Sequence, residues 1–232
     1  MKAWNLFYKQ FITYEGYKSV LNGLLATVEI AVFGLIIGIL IGTLIAVVKV
    51  MPKYKLVPRI LEKICDVYVA FFRGTPMVVQ LLIGYFVLMP ELGIAADGVM
   101  VAITIFGLNS GAYVSEIMRA GIQSVDGGQL EAGRAVGLPY STAMLKIVIP
   151  QSIKNILPTL GNEFIVLVKE TSVVSFIAVT DLTKAFRAIG DANYEYIIPY
   201  LMLAAVYLVM VLLITLGIRL MERRFRRNER TA

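Results

Sequence analysis

Long apolar runs alternate along the chain with short, polar and mostly basic connections. Residues 30–48 hold no charged side chain, and neither do residues 197–218. A bilayer crossing needs roughly 20 predominantly apolar residues in helical form. On this pattern the chain is expected to be all-α and polytopic, with five transmembrane helices. The spans are predicted over 19–50, 60–89, 99–123, 156–179 and 197–221. The second is interrupted at Arg73-Gly74-Thr75-Pro76, and the fourth is the most polar. Gly34, Gly38 and Gly42 recur every four residues on the first span and predict a small-residue face for close helix packing.

Composition agrees with this reading. Of 232 residues 58% are hydrophobic and 16% charged, against about 45–50% and about 25% in soluble domains. The formal net charge of +6 is distributed by topology. Lys49, Lys53, Lys55, Arg59 and Lys63 follow the first span; Arg119, Arg134, Lys146 and Lys154 surround the third connection. A basic tail over 222–232 carries Arg223, Arg224, Arg226, Arg227 and Arg230. The connection PELGIAADG has no basic residue, and Lys184 and Arg187 are balanced by Asp181 and Asp191. Basic residues collect in cytoplasmic loops. The N-terminus is therefore expected outside and the C-terminus in the cytoplasm, although Lys2, Lys9 and Lys18 weigh the other way. The tail reads as an anchor near anionic lipid, with no nucleic-acid partner. Residues 1–18, with Trp4, Phe7, Tyr8, Phe11 and Tyr14, read as an extracytoplasmic interfacial segment and not as a signal peptide.

The chain has no His and a single Cys, Cys65. That removes His-based zinc sites and the Ser-His and Cys-His nucleophile pairs, so an enzyme is not expected. No G-x-x-x-x-G-K-[ST] stretch is present, so the chain has no phosphate cradle for ATP. No internal repeat is visible, and 1–232 reads as one domain.

The cytoplasmic region 124–150 contains EAGRAVGLPYSTAMLKIVIP. Its pattern predicts a helix-turn-helix on the membrane surface. One helix spans about 129–136, and Gly137 ends it in the left-handed conformation. Pro139 begins a second helix, with Met144, Leu145, Val148 and Ile149 as an apolar face. Pro150 is expected to prevent a clean continuation into the next span. The small residue Gly133 and the bare Gly137 are expected to let another protein approach the backbone closely.

The spacing of Glu131-Ala132-Gly133, Gly137, Ile147 and Ile149-Pro150 resembles the EAA signature of binding-protein-dependent ABC importer permeases. It departs from that pattern at Gly133, where the family has Ala, and at Ile149, where it has Leu. FRGTPMVVQLL, NSGAYVSEIMRAGIQSVDGGQLEA and PQSIKNILPTLGNEFIVLVKETSVVS resemble the polar amino acid branch, of histidine/glutamine/arginine type. The resemblance implies a type I importer permease in a bacterial inner membrane. Glu131, Ala132, Gly133, Arg134, Gly137 and Pro139 would then couple to an ATPase. It also implies two ATPase subunits that bind ATP and Mg, a second permease chain (a copy or a paralogue) and an extracytoplasmic substrate-binding protein.

Charged groups at membrane depth are costly and mark function or pairing. Glu163, Leu167, Glu170 and Val174 fall on one helical stripe. A zwitterionic amino acid needs an acceptor for its ammonium, which Glu163 or Glu170 can supply. Its carboxylate needs donors, for which Arg73, Asn162, Thr171 and Ser172 are candidates. Breaks at Gly161 or at Gly74-Thr75-Pro76 would add backbone groups to the same end. Lys169 can contact substrate or pair with Glu170, Glu163 or Glu116. Arg73 can equally fix the kink of the second span. An acid at 163 favours a cationic substrate such as arginine, lysine or histidine, unless it reads only the α-ammonium group. A secondary transporter working alone is the rival reading; it would have no use for the coupling stretch.

Overall fold

The computed structural model describes residues 2–95 and 97–229, with side chains for 3–95 and 97–223. The basic tail beyond Arg223 therefore lies outside the described side chains. Among the described residues the chain is helical without strands. Helix α1 (Lys2–Tyr8) runs through a π-turn into α2 (Gly16–Val50). Helix α3 (Leu56–Gly74) is followed by α4 (Met77–Ile83) and, past a π-turn, α5 (Met89–Glu91). Then come α6 (Gly98–Gln123), α7 (Gly127–Ala135), α8 (Tyr140–Ala143), α9 (Ile149–Glu170), α10 (Leu182–Asp191) and α11 (Ile197–Glu229).

Helices α2, α6 and α11 are each long and apolar enough to cross a membrane, and α3 with α4–α5 makes a fourth such element if the bent pair is one span. The predicted fourth span forms as α9 plus a 3₁₀ segment, Thr171–Ile177. Its 22 residues reach about 33 Å. With Lys154, Glu163, Lys169 and Glu170 aboard, it does not pass as a span on composition alone.

The α2–α6 pair is the most extensive helix contact. A Cβ at Gly34 would stand 3.1 Å from Phe106 Cβ, one at Gly38 2.6 Å from Ser110 Oγ, and one at Gly42 2.6 Å from Val114 Cγ1. The register advances together on both helices, so they run in the same direction. In return Gly107 and Gly111 of α6 receive Ile37 and Ile41. The predicted glycine face is thus a helix seam, set by backbone approach.

The main core packs Ile30 and Ala31 of α2, Leu81 of α4, Phe106 of α6 and Leu167 of α9. A second cluster joins Phe7 and Val20 to Leu182, Phe186 and Ile189 of α10. Asp181 caps α10, accepting from Thr183 N at 3.0 Å and Lys184 N at 2.9 Å. Helices α1 and α10 thus close one end of the bundle. The α7–α8 hairpin closes the other, where Tyr140 meets Val50 at the end of α2.

Candidate coupling hairpin and substrate cavity

Helix α7 starts at Asp126, whose Oδ1 accepts from Gly128 N at 2.9 Å. It ends where Gly137 takes φ +91°. Leu138 N donates to Gly133 O at 3.1 Å and Gly137 N to Arg134 O at 3.0 Å. This pair of bonds is the Schellman stop expected at a left-handed glycine. Pro139 is the extended residue just before α8 and not its first helical residue.

One expectation is met in part and one fails. Pro150 does not stop the helix, but the continuation is not a clean α-ladder: a π-turn over Met144–Val148 carries the chain into α9, with Pro150 in its first turn. The π-turn ends with Ile149 N bonded to Met144 O, one residue before Pro150, so the ladder is already shifted where Pro150 has no N–H to offer. Gly133 is buried and faces inward. A Cβ there would lie 2.8 Å from Ile147 Cδ1 and 3.3 Å from Ala143 Cβ, so it lets the two arms of the hairpin touch. The exposed members of the set are Glu131, Ala132, Arg134, Gly137 and Pro139, beside Val136 and Leu145. The predicted apolar face is divided. Val148 is buried, whereas Met144, Leu145 and Ile149 line a groove of about 270 Å³ against Val47 and Val50. The Tyr140 phenol donates to Val50 O at 2.9 Å. Burial, and then Tyr54 nearby, push its pKa up, which keeps the proton on this tie.

On α9, Glu163, Leu167 and, past its end, Val174 are buried, as the stripe predicted, and Glu170 is half-buried. Ser110 Oγ of α6 donates to Glu163 Oε1 at 3.0 Å. Among the described residues no Lys or Arg pairs with Glu163. Lys169 is exposed and makes no ion pair with Glu163, Glu170 or Glu116 among those residues. Glu116 is occupied instead by Lys49 Nζ at 2.8 Å and Arg119 Nη2 at 2.7 Å, and Lys49 also meets Asp66 at 2.9 Å. Asn162 is exposed and Ser172 half-buried. Thr171 is fully buried and donates to Val168 O at 2.7 Å, so its hydroxyl is committed to its own turn.

An open cavity of about 430 Å³ lies between α6 and α9, lined by Arg73, Tyr113, Glu116, Ser124, Asn155 and Thr159 among others. Its lining residues Tyr113 and Thr159 stand about one helical turn from Ser110 and Glu163 respectively, so along both helices the cavity begins about a turn from the buried carboxylate. The Arg73 guanidinium lies 5.3 Å from the centre of the Tyr113 ring, a cation–π distance.

The breaks are not where substrate groups were expected. Helix α9 passes through Gly161, against which Ile218 of α11 packs. The interruption at Gly74-Thr75-Pro76 is real, and α3 and α4–α5 diverge by 105° across it. Its freed carbonyls are taken internally. Thr75 Oγ1 donates to Phe71 O at 2.8 Å. Gln80 Nε2 reaches Phe72 O, Thr75 O and Thr75 Oγ1 at 2.8, 3.0 and 2.7 Å. Asn109 Nδ2 adds bonds to Phe72 O at 3.2 Å and Gln80 Oε1 at 2.9 Å. Gln80 and Asn109, not Arg73, fix the kink. Gln80, Asn109, Ser110 and Tyr113 were absent from the predicted site. The available signal was a polar residue inside an apolar span, which for Gln80 and Asn109-Ser110 is plain in the sequence.

Comparison with known proteins gives the family. Residues 34–227 match the family described as binding-protein-dependent transport system inner membrane component. The arginine transport system permease protein ArtQ of Bacillus subtilis (strain 168) is 39% identical over 210 residues, 90% of this chain and 94% of that protein. The putative glutamine transport system permease protein GlnP of Rickettsia bellii (strain RML369-C) is 40% identical over 205 residues, 88% of this chain and 92% of its own. A chain from the crystal structure of an amino acid ABC transporter with histidines superposes with TM-score 0.82 at 39% identity, covering 94% of this chain and 98% of that one. The inward-facing MetNI methionine ABC transporter shares the fold at TM-score 0.69 and 18% identity, covering 92% and 97%. With its helical bundle, its α7–α8 hairpin and these relatives, the chain belongs to the binding-protein-dependent transport system inner membrane components.

Proposed function

We propose that this chain is the transmembrane subunit of an ATP-driven amino acid importer, with cationic amino acids favoured and glutamine possible. It is a multi-pass membrane permease of an amino acid ABC importer, and a solitary secondary transporter is not favoured. The observation that carries the reading is the hairpin of α7 and α8. Its arms are held together at Gly133 and Ile147 and it is tied to the bundle by Tyr140 on Val50, yet it presents Glu131, Ala132, Arg134, Gly137 and Pro139 outward. Such a surface suits a motor on another chain.

In this reading the motor is a pair of ATPase subunits that bind ATP and Mg. A second permease chain, a copy or a paralogue, completes the pathway, and a binding protein delivers substrate from outside. The hairpin end and the C-terminus face the cytoplasm, as the basic connections support. Five spans then cross the membrane, α9 being the polar one. Glu163 supplies the negative charge for an ammonium or guanidinium group; its burial without a cationic partner among the described residues supports that role. Arg73, displayed in the adjoining cavity, suits the carboxylate. Glu170, Asn162 and Ser172 remain at the rim of the same helix. Alternating access follows if the two orientations differ little in free energy and substrate and nucleotide bind them unequally.

Co-purification tests the coupling. The tagged chain, gently extracted from its native membrane, is expected to bring a P-loop ATPase with it, and Gly137→Trp is expected to lose that partner. Repeated extraction without an ATPase, with amino acid transport by the chain alone, would return the case to a secondary transporter.

A further inference from the structure

The broken span raises a question of how its two halves are held. No non-helical backbone survives at membrane depth unless its polar groups find partners. Packing does not hold the break: a Cβ at Gly74 would meet nothing within 4 Å, and Arg73 is exposed. What holds it is a pair of buried amides. The two protons of Gln80 Nε2 serve Phe72 O, Thr75 O and Thr75 Oγ1, which bracket Arg73 and Gly74 on both sides. Asn109 Nδ2 reaches Phe72 O from α6 and also donates to Gln80 Oε1. Gln80 and Asn109 are only 6% and 5% exposed, so water does not compete for these bonds.

One turn of α6 carries all the relevant contacts. Asn109 grips the break, Ser110 beside it holds Glu163, and Tyr113 one turn on lies under the Arg73 guanidinium. We infer that the Gln80–Asn109 amide pair is a positioning clamp that sets where Arg73 stands relative to Glu163. The clamp makes the spacing of the two charges a property of α6 and not of a free loop. It thereby selects substrates whose carboxylate and cationic group match that spacing. This inference rests on the reading of Arg73 and Glu163 as substrate groups.

The test uses the whole importer, this chain with its ATPase and binding protein, in liposomes, and follows ATP-driven uptake of labelled arginine and labelled glutamine. Gln80→Met keeps the volume and removes the donors. It is expected to raise KM about tenfold while Vmax changes less than about twofold. Gln80→Asn, which keeps an amide on a shorter stem, is expected to recover part of that loss. In an Arg73→Gln background Gln80→Met is expected to add nothing further, because both act through one group. Additive effects on KM, or a fall in Vmax with KM unchanged, would overturn the clamp. If Gln80→Met does not assemble, Gln80→Asn in both Arg73 backgrounds carries the same comparison. A second readout does not depend on substrate. On a Cys65→Ser chain, the thiol introduced by Arg73→Cys is labelled with a charged thiol reagent, with and without Gln80→Met. A labelling rate changed about tenfold supports the clamp, and an unchanged rate rejects it. That rate decides the clamp even if the native importer takes up neither amino acid, a result that would count against the functional reading alone.

Discussion

Glu163 is a buried acid of α9 that faces Ser110 of α6. It is 9% exposed, accepts one hydrogen bond from Ser110, and has no cation beside it among the described residues. A carboxylate in a low-dielectric interior is costly unless a positive group arrives. An incoming ammonium or guanidinium meets that need, and a charge-assisted hydrogen bond is worth about 1.5–3 kcal/mol. Glu163→Gln keeps the shape and removes the charge. It is expected to raise the KM for arginine uptake by about tenfold or more and to leave ATPase co-purification intact. Glutamine uptake separates the two possible contacts. An equal loss means that the carboxylate reads the α-ammonium, and a smaller loss means that it reads the side chain. Unchanged kinetics for both amino acids would remove Glu163 from the site. The sequence made Glu163 visible as an acid within a span. It could not show that Lys169 is exposed and makes no ion pair with Glu163, that Thr171 donates within its own turn, or that Ser110 is the partner, since these depend on which faces of two distant segments meet.

At the scale of elements, the α2–α6 seam has a clear geometric test. Gly38→Ala places a methyl 2.6 Å from Ser110 Oγ and 2.7 Å from its Cβ. The helices must separate, and overpacking of this kind costs about 1–3 kcal/mol. Gly217→Ala on α11 meets nothing within 4 Å, so helix propensity alone predicts a gain of up to about 1 kcal/mol. Thermal unfolding of the purified protein in detergent is expected to show a lower midpoint for the first and an equal or higher one for the second. A neutral Gly38→Ala would mean that the seam is looser than drawn. The regular glycine spacing announced this seam in the sequence. The break of the second span was equally legible, because Gly-Thr-Pro removes both helix propensity and a donor. The continuity past Pro150 was not legible. Proline predicts a disturbed ladder but not which way it is resolved: at both Pro90 and Pro150 a π-turn just before the proline lets the helix go on.

At the scale of the whole molecule, the charged knot at the hairpin end joins three helices. Lys49 ends α2, Asp66 lies on α3, and Glu116 with Arg119 lies on α6. Lys49 has a side chain only 9% exposed, while Asp66 is 57% exposed and Glu116 20%. Lys49→Met leaves Glu116 with Arg119 alone. The expected loss is about 1–3 kcal/mol, below the roughly 3–5 kcal/mol of a fully buried pair because water screens Asp66. A lower unfolding midpoint, recovered in part by Lys49→Arg, is the outcome to measure. No change in either variant would show that the knot adds nothing to stability.

By itself, the sequence determined the apolar spans, the place of the break, the glycine seam, the asymmetry of basic residues and the pattern of the α7–α8 hairpin. All of these are local: each depends on residues close together in the chain and on their period. Only the tertiary structure decided which polar groups within the spans serve each other and which are left with few partners. Gln80 and Asn109 close the break, Lys49 occupies Glu116, Gly133 faces its own hairpin, and Glu163 is left with a single hydroxyl. Those assignments follow from helix register and facing, which join segments tens of residues apart, and inside a membrane a polar group without water must take whatever partner that register brings.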